Sequence, residues 1–386
     1  MSNATIYDPS NEELTLFRET VRRFIADEVT PHYNEWEKAQ ITPREIWNKF
    51  GEAGLLGVDV TENEGGIGAP FPFSSVIPEE LSRSGAAALA TNISVHSDMV
   101  IPYILHLGSD EQKSQWIPKM ITGKAVGAIA MTEPGAGSDL SGICTSAKED
   151  GDHYILNGSK IFITNGQHAD VVIVVAKTDP EKGSKGVSLF LVDASLKGYQ
   201  RGKNLDKMGL HAGDTSELFF DDLKLPKSAL LGEKNNGFIH LMNELPRERL
   251  IISIMALGSA DGAFEWTQEY VQGRKAFGKK ISDFQNTRFK LAEMKTDIEL
   301  NRAFIRQCIN SYLNNTLDTA TASMAKLAAT ELQGKVADEC LQLFGGYGYM
   351  TEYPISRAYV DARVQRIYGG SSEIMKEIIA RSIVGR

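Results

Sequence analysis

The spacing of apolar residues changes twice along the chain, and this constrains the fold more than any single motif does. From about residue 11 to 124 the spacing is helical. Glu13–Glu28 places Leu14, Phe17, Val21, Phe24 and Ile25 at i, i+3 and i+4 intervals, the mark of one apolar helix face. Pro31 follows where such a helix would stop. Thr42-Pro43 predicts a second helix, with Thr42 as N-cap and Pro43 in the first turn. Residues 63–72 form a Gly- and Pro-rich loop, and Ser109-Asp110 opens a helix that runs through Trp116. From about residue 125 to 237 the period shortens to that of strands. His153–Gly166 predicts two strands joined at Asn157-Gly158, a strong hairpin signal. Three further β runs lie at 170–178, 186–193 and 216–225. From residue 238 the chain is helical again, in Phe238–Gly273, Phe284–Asn314, Asp318–Phe344 and Ser371–Ile383.

The predicted class is therefore α+β and multidomain. An N-terminal helical domain (5–124) precedes a middle antiparallel β domain (125–237) and a C-terminal four-helix bundle domain (238–386). Strands and helices do not alternate, which counts against a doubly wound nucleotide fold. A chain of 386 residues can bury a large core without disulfides or a structural metal. Its net charge of −9 argues against broad nucleic-acid binding. Cys144, Cys308 and Cys340 are far apart and form no CxxC pair, so a reducing compartment fits better than a disulfide framework. The six-residue apolar run Val171–Ala176 is far short of the ~20 residues of a spanning helix. No basic-then-apolar leader precedes the helical region, and Met1–Ala4 reads as an expression remnant. The expected location is the bacterial cytoplasm, or the mitochondrial matrix for a mature eukaryotic form.

Three glycine clusters invite a dinucleotide reading: Gly65–Pro70, Gly135–Leu140 and Gly345–Met350. None has the third glycine of GxGxxG, and none stands in a βαβ unit. No P-loop, no HExxH and no GxSxG elbow occurs. His96 and His106 read as packing or surface residues, and no metal site is expected. The stretch Ala130–Leu140 differs from a plain turn. Its Pro134, Gly135 and Gly137 leave backbone N–H groups free, and Thr132 and Ser138 add hydroxyls suited to a polar ring edge or a phosphate.

The pair MTEPGAGSD (131–139) and KIFITNG (160–166) resembles the flavin-binding pair of the acyl-CoA dehydrogenase family. The resemblance extends over nearly the whole chain, through RKAFGKKISDFQ (274–285), QLFGGYGYMTEYP (342–354) and IYGGSSEI (367–374). Its closest subgroup is the long-chain type. The resemblance implies FAD and removal of an α-proton and a β-hydride from an acyl-CoA, giving a trans-2-enoyl-CoA. The proton goes to a carboxylate and the hydride to flavin N5. Carried over position by position, Ile129, Met131, Thr132, Gly137, Ser138, Phe162 and Thr164 hold the flavin. Phe162 stands where many members have a Trp. Arg274, Phe277, Gln285, Gln342, Gly345 and Gly346 match residues that hold the adenosine-diphosphate portion of FAD from a neighbouring subunit, and Ser371 and Glu373 also touch the cofactor. Ser138, Lys185, Gly186, Arg249, Tyr368, Gly369 and Gly370 match substrate contacts, with the Gly369 N–H on the thioester carbonyl. The implied partners are an acyl-CoA substrate, electron-transfer flavoprotein as electron acceptor, and further copies of the chain, as a tetramer.

The position of the base departs from the commonest family pattern. Many members carry a catalytic Glu directly after the Tyr of the IY loop, where this chain has Gly369. Glycine cannot accept a proton. Long-chain and isovaleryl-CoA dehydrogenases also lack that Glu and use one before an Arg on the first long C-terminal helix. Glu248-Arg249 matches that pair. A Glu in a charged Arg-Glu-Arg stretch is more often solvated or paired, but general-base work depends on reach, not on sequence position. Glu373 and Glu244 are the rival carboxylates. Two other reactions on this scaffold stay open: a flavin oxidase or monooxygenase, and a dehydrogenase of carrier-bound acyl groups.

Overall fold

The computed structural model describes residues 7–385; Met1–Ala4, residues 5 and 6 of the expected N-terminal domain and residue 386 lie outside the described residues. Seven helices come first: α1 (Glu12–Phe24), α2 (Tyr33–Ala39), α3 (Glu45–Glu52), α4 (Phe71–Arg83), α5 (Ala87–Ser94), α6 (Ile101–Leu107) and α7 (Asp110–Ile121). Eight strands follow: β1 (Gly127–Ala130), β2 (Ser146–Asp150), β3 (His153–Thr164), β4 (Val171–Lys177), β5 (Val187–Asp193), β6 (Tyr199–Asn204), β7 (Thr215–Pro226) and β8 (Leu230–Leu231). The rest is α8 (Gly237–Gly273), a small hairpin, α9 (Gln285–Leu313), α10 (Thr319–Phe344), α11 (Pro354–Ala362) and α12 (Ser372–Val384). The α, β, α order is the expected one.

Four helices start on a side-chain cap, at Asn11, Ser109, Asp318 and Ser371. At Ser109 the hydroxyl accepts from the Gln112 N–H while the Gln112 side chain accepts from the Ser109 N–H, a complete capping box. Thr42 does not cap. Its hydroxyl is buried without a partner, its carbonyl accepts from His168, and α3 begins at Glu45. Two π-helical turns interrupt the N-terminal helices, at Ile25–Val29 and Val95–Val100. The second joins α5 to α6 and is wholly buried.

The sheet corrects two expectations. It is mixed rather than antiparallel: β1 runs parallel to β4, Gly127 opposite Val171 through Ala130 opposite Val174. Parallel neighbours need a long crossover, and here residues 131–170 supply it. The Gly-rich stretch after Ala130 therefore leaves the sheet at a strand end instead of closing a hairpin. Asn157-Gly158 is likewise no hairpin. β3 is one continuous strand with register shifts after Leu156 and Lys160. Asn157 Oδ1 accepts from the Asp222 N–H at 2.8 Å, which satisfies a backbone group that the bulge frees from the ladder. The β2–β3 turn is Gly151-Asp152, closed by the pair Asp150 and His153.

Helix α8 is the axis of the molecule. Every residue from Arg247 to Ala263 is buried, so this stretch is enclosed on all sides. Gly258 and Gly262 allow α4 to cross closely: an added Cβ would lie 2.5 Å from the Glu79 carbonyl oxygen and 2.1 Å from that of Arg83. Pro246 lies within α8 without ending it. Among the described residues no helix is long and apolar enough to cross a membrane, and no group of three or more His, Cys, Asp or Glu could hold a metal.

Candidate active site

The stretch after β1 is fastened from below and open above. The Thr132 carbonyl accepts from the Ile161 N–H at 2.9 Å, and Lys160 Nζ donates to the Met131 carbonyl at 2.9 Å. Lys160 also pairs with Glu133 at 2.8 Å, with both side chains buried. Glu133 in turn accepts from the N–H groups of Cys144 and Thr145. Burial opposes ionisation of Glu133, but these hydrogen bonds outweigh it and hold the carboxyl below its usual range. Burial pushes Lys160 down to about 8, which leaves it charged near neutrality.

Above this anchor, Gly137 and Ser138 are exposed, and a Cβ added at Gly135 or Gly137 would meet nothing within 4 Å. The N–H groups of Thr132, Gly137 and Ser138 donate to no described residue. Across from them, the second β3 bulge gives Phe162 a φ of +62° and leaves its ring 63% exposed. A bulky residue is rarely held in that region without a reason outside its own backbone. Thr164 ends the same strand, half-buried opposite Thr215. Free donors, an open glycine edge and an exposed aromatic face make a cradle that fits a planar, hydrogen-bonding ring.

The carboxylate expected to act lies close by in the same packing unit. One apolar cluster contains Val95, Met99, Tyr103 and Ile252, with Ile129, Met131 and Tyr368 packed against it. The β1 end, the helix that carries Glu248 and the IY loop therefore converge. Ile252 lies one turn after Glu248 on α8, and a Cβ at Gly369 would come within 2.3 Å of its Cδ1. Gly369 has φ +64° and Gly370 φ +97°. The loop position that lacks an acid thus rests on the helix face that presents one.

Glu248 is buried, and Tyr103 donates to its Oε1 at 3.0 Å. Burial pushes the Glu248 carboxyl up to about 7; Glu244 pushes the same way, and Tyr103 and Arg249 push back. Arg249 is buried too. Its Nη1 donates to Ser323 at 3.2 Å, while its Nε has no partner. Lys326, fully buried on α10, donates to the Gly370 carbonyl at 2.7 Å. Burial, with Arg249 adding, pushes Lys326 down to about 8.

The rival carboxylates are placed differently. Glu244 pairs with His106 at 2.7 Å. Glu373 is exposed in the first turn of α12, where its own backbone N–H and Ser371 hold it below the usual carboxylate range. Ser371 caps that helix through the Ile374 N–H.

The remaining expected residues fall in two places. Leu140–Gly142, just after Ser138, packs against Pro180–Gly186, which holds exposed Lys185 and buried Gly186; α8 packs there as well. Arg274, Gly345 and Gly346 line a different cavity of about 460 Å³, with Tyr270, Tyr347 and Met350. The Arg274 guanidinium lies over the Tyr347 ring at 5.3 Å. Phe277 is 96% exposed at φ +53° in the hairpin after α8. Gln285 opens α9 and Gln342 lies in the last turn of α10, both exposed.

Family models for the N-terminal, middle and C-terminal domains of acyl-CoA dehydrogenases match residues 11–124, 128–223 and 235–384. The chain belongs to the acyl-CoA dehydrogenase family. It is 54% identical over 376 residues to the mitochondrial long-chain specific acyl-CoA dehydrogenase of Sus scrofa, a match that covers 97% of this chain and 87% of that one. The crystal structure of an acyl-CoA dehydrogenase from Geobacillus kaustophilus is 48% identical and covers 99% of this chain and 100% of its own, with a TM-score of 0.95. A glutaryl-CoA dehydrogenase from Mycobacterium smegmatis, solved in complex with FADH2, is 30% identical, covers 97% of this chain and 95% of its own, and has a TM-score of 0.92. The chain is thus an FAD-dependent oxidoreductase of this family, and the cradle at Thr132–Ser138 and Phe162 fits that cofactor.

Sequence reasoning missed Lys160, Glu133 and Lys326 as parts of the site; it placed the helix around Thr91–Tyr103 beside the acyl pocket but did not pair Tyr103 with Glu248. Lys160 and Glu133 stand inside the two motifs already singled out, so their pairing could have been asked of them. Nothing local marks Tyr103, which meets Glu248 from 145 positions away.

Proposed function

We propose that the chain dehydrogenates a long-chain or branched acyl-CoA to the trans-2-enoyl-CoA, with Glu248 as the base that removes the α-proton. The observation that carries this reading is a buried carboxylate on the helix face against Gly369, where the loop itself offers no acid. With its pKa pushed to about 7, Glu248 can accept a proton near neutral pH and keep it long enough for the rest of the reaction. The Gly369 N–H is the proposed donor to the thioester carbonyl, and it stabilises the charge that develops as the α-proton leaves. Arg249 and Lys326 add positive charge beneath the same loop. Ile129, Met131, Thr132, Gly137, Ser138, Phe162, Thr164, Ser371 and Glu373 are the proposed flavin contacts. When bound, FAD supplies the hydride acceptor for the β-carbon. Ser138, Lys185, Gly186, Tyr368 and Gly370 are proposed to line the path of the CoA ester.

The assembly and partners follow the same reading. Phe277, Arg274, Gln285, Gln342, Gly345 and Gly346 are exposed. They are proposed to serve the adenosine end of a cofactor shared between copies of the chain, as a tetramer. Electron-transfer flavoprotein is the proposed acceptor. Three unpaired cysteines fit a reducing compartment, the bacterial cytoplasm or the mitochondrial matrix.

The test is anaerobic mixing of the FAD-loaded protein with straight-chain acyl-CoAs from butyryl to palmitoyl, and with isovaleryl- and citronellyl-CoA. Bleaching of the flavin's visible band is followed in the wild type and in Glu248→Gln. The variant is expected to be slower by about 10²–10⁴. Bleaching of the variant at the wild-type rate would remove Glu248 as the base. No bleaching of the wild type by any ester would remove the substrate class.

A further inference from the structure

Tyr103 lies in α6 and Glu248 in α8, and the two side chains meet inside the protein. The Tyr103 hydroxyl donates to Glu248 Oε1 at 3.0 Å, and both residues are almost fully buried. No described residue donates a hydrogen bond to Oε2. The two carboxylate oxygens are therefore unequal: one is held and the other is left to accept a proton. Burial and the nearby Glu248 push the Tyr103 hydroxyl well above its ordinary pKa, so Tyr103 remains a donor at any working pH.

The other charged groups around Glu248 are accounted for on each neighbouring element. On α8, Glu244 pairs with His106 of α6, and Arg249 faces Ser323 of α10. Lys326 of α10 is committed to the Gly370 carbonyl. Asp98, in the π-helical turn before α6, is taken by Arg247, which precedes Glu248 on α8. Tyr103 makes the one hydrogen bond to the Glu248 carboxylate among the described residues.

We propose that Tyr103 is a positioning residue for the base, clamping Oε1 so that Oε2 faces the substrate and the carboxylate stays ready to take a proton. The inference rests on the reading of Glu248 as base. Burial and Glu244 favour the protonated carboxyl, and a donated hydrogen bond favours the ionised one. Without the bond, the base should need a higher pH to be active. A mere staple between α6 and α8 would have no such signature.

The experiment uses the FAD-loaded full chain and its Tyr103→Phe variant. The rate of substrate-driven flavin reduction is measured against pH, together with KM and the thermal midpoint. A hydrogen bond to a charged group corresponds to about one pH unit. The rising limb of the Tyr103→Phe profile should move up by about that much, with rates down about tenfold below the limb and within about twofold of wild type above it. KM should hardly change. An equal loss at every pH with an unmoved limb would overturn the proposal, whatever the thermal midpoint does.

A second variant guards against a folding defect. Site-specific 3-fluorotyrosine at position 103 keeps the packing and makes the hydroxyl a stronger donor. It should move the limb to lower pH, and an unmoved or raised limb counts against the clamp. Glu248→Gln separates the two readings. If it is inactive and Tyr103→Phe shows no shift, only the clamp falls. If it reduces flavin at the wild-type rate, the base reading falls and takes the clamp with it.

Discussion

Arg247 and Arg249 stand two residues apart on α8, both buried, yet they are built into opposite kinds of surroundings. Arg247 is saturated. It donates to Asp59 at 2.7 Å, to the Asp98 side chain at 3.2 Å and to the Tyr312 hydroxyl at 3.0 Å, and it stacks near the Phe71 and Tyr312 rings. Among the described residues Arg249 has one weak hydrogen-bond partner, Ser323, no carboxylate hydrogen bond and an unpartnered Nε. A charge that folding alone required would be neutralised as Arg247 is. The Arg249 side of the helix faces Gly370, whose added Cβ would lie 3.9 Å from Nη2. The difference separates a face of α8 that holds the domains together from a face that keeps positive charge in reserve beside Glu248.

The sharpest way to break this comparison is to remove each arginine in turn. Arg247→Met leaves buried Asp98 and half-buried Asp59 without their counter-ion and should destabilise by about 3–5 kcal/mol in urea unfolding. Arg249→Met leaves no buried carboxylate pair broken and should change stability by less than about 1 kcal/mol. Its substrate-driven flavin reduction should nevertheless slow by about 10–100-fold, because positive charge beneath the developing negative charge is gone. If Arg249→Met proved the more unstable of the two, the division of the helix into two faces would be wrong.

A smaller effect concerns the cost of keeping Glu248 where it is. Its folded pKa of about 7 lies above the ordinary 4.5. Below pH 4.5 both folded and unfolded chains hold the proton and there is no penalty. Between 4.5 and 7 the unfolded chain releases it first, so stability falls as pH rises. Above 7 the penalty is complete, roughly 3 kcal/mol. Glu248→Gln should therefore match the wild type in stability at low pH and exceed it by up to that amount above pH 7. Asp98 and Asp361 are also pushed up to about 7 by burial, so only the difference between variant and wild type isolates Glu248. A constant difference across pH would mean that the carboxyl is not perturbed.

What was legible in the sequence follows the range of the forces involved. Periodicity and capping are local, and they placed the α, β, α order, the helix start at Ser109 and the long C-terminal helices. The resemblance drew attention to Glu248 through the missing acid at Gly369. Features set by distant partners could not be read. Asn157-Gly158 has hairpin chemistry, but pairing with β7 runs straight through it as a bulge, and Gly151-Asp152 makes the turn instead. Thr42 has capping chemistry, but its segment is tied to His168 of the middle region. The short helices α2 and α11 carry too few residues for a clear period. The charge balance around α8 depends on Asp59, Asp98, Tyr103 and Ser323, none near it in sequence.

The smallest expected effect is at Gly369, where the two faces of the comparison meet the loop. Its φ of +64° is unfavourable for any residue with a Cβ, by about 1–2 kcal/mol. An added Cβ would also press on the Ile252 Cδ1 at 2.3 Å, but this is the tip of a side chain that can turn. Gly369→Ala should thus lose about 1–2 kcal/mol in urea unfolding, and the loop should shift away from α8. Because the Gly369 N–H is the proposed donor to the thioester, that shift should slow flavin reduction, and the rising limb set by Glu248 should stay where it is. Adding Ile252→Val should recover part of the stability lost to crowding but not the part due to φ. Full recovery would mean that crowding alone keeps position 369 a glycine, and that the left-handed turn is a consequence of packing against α8.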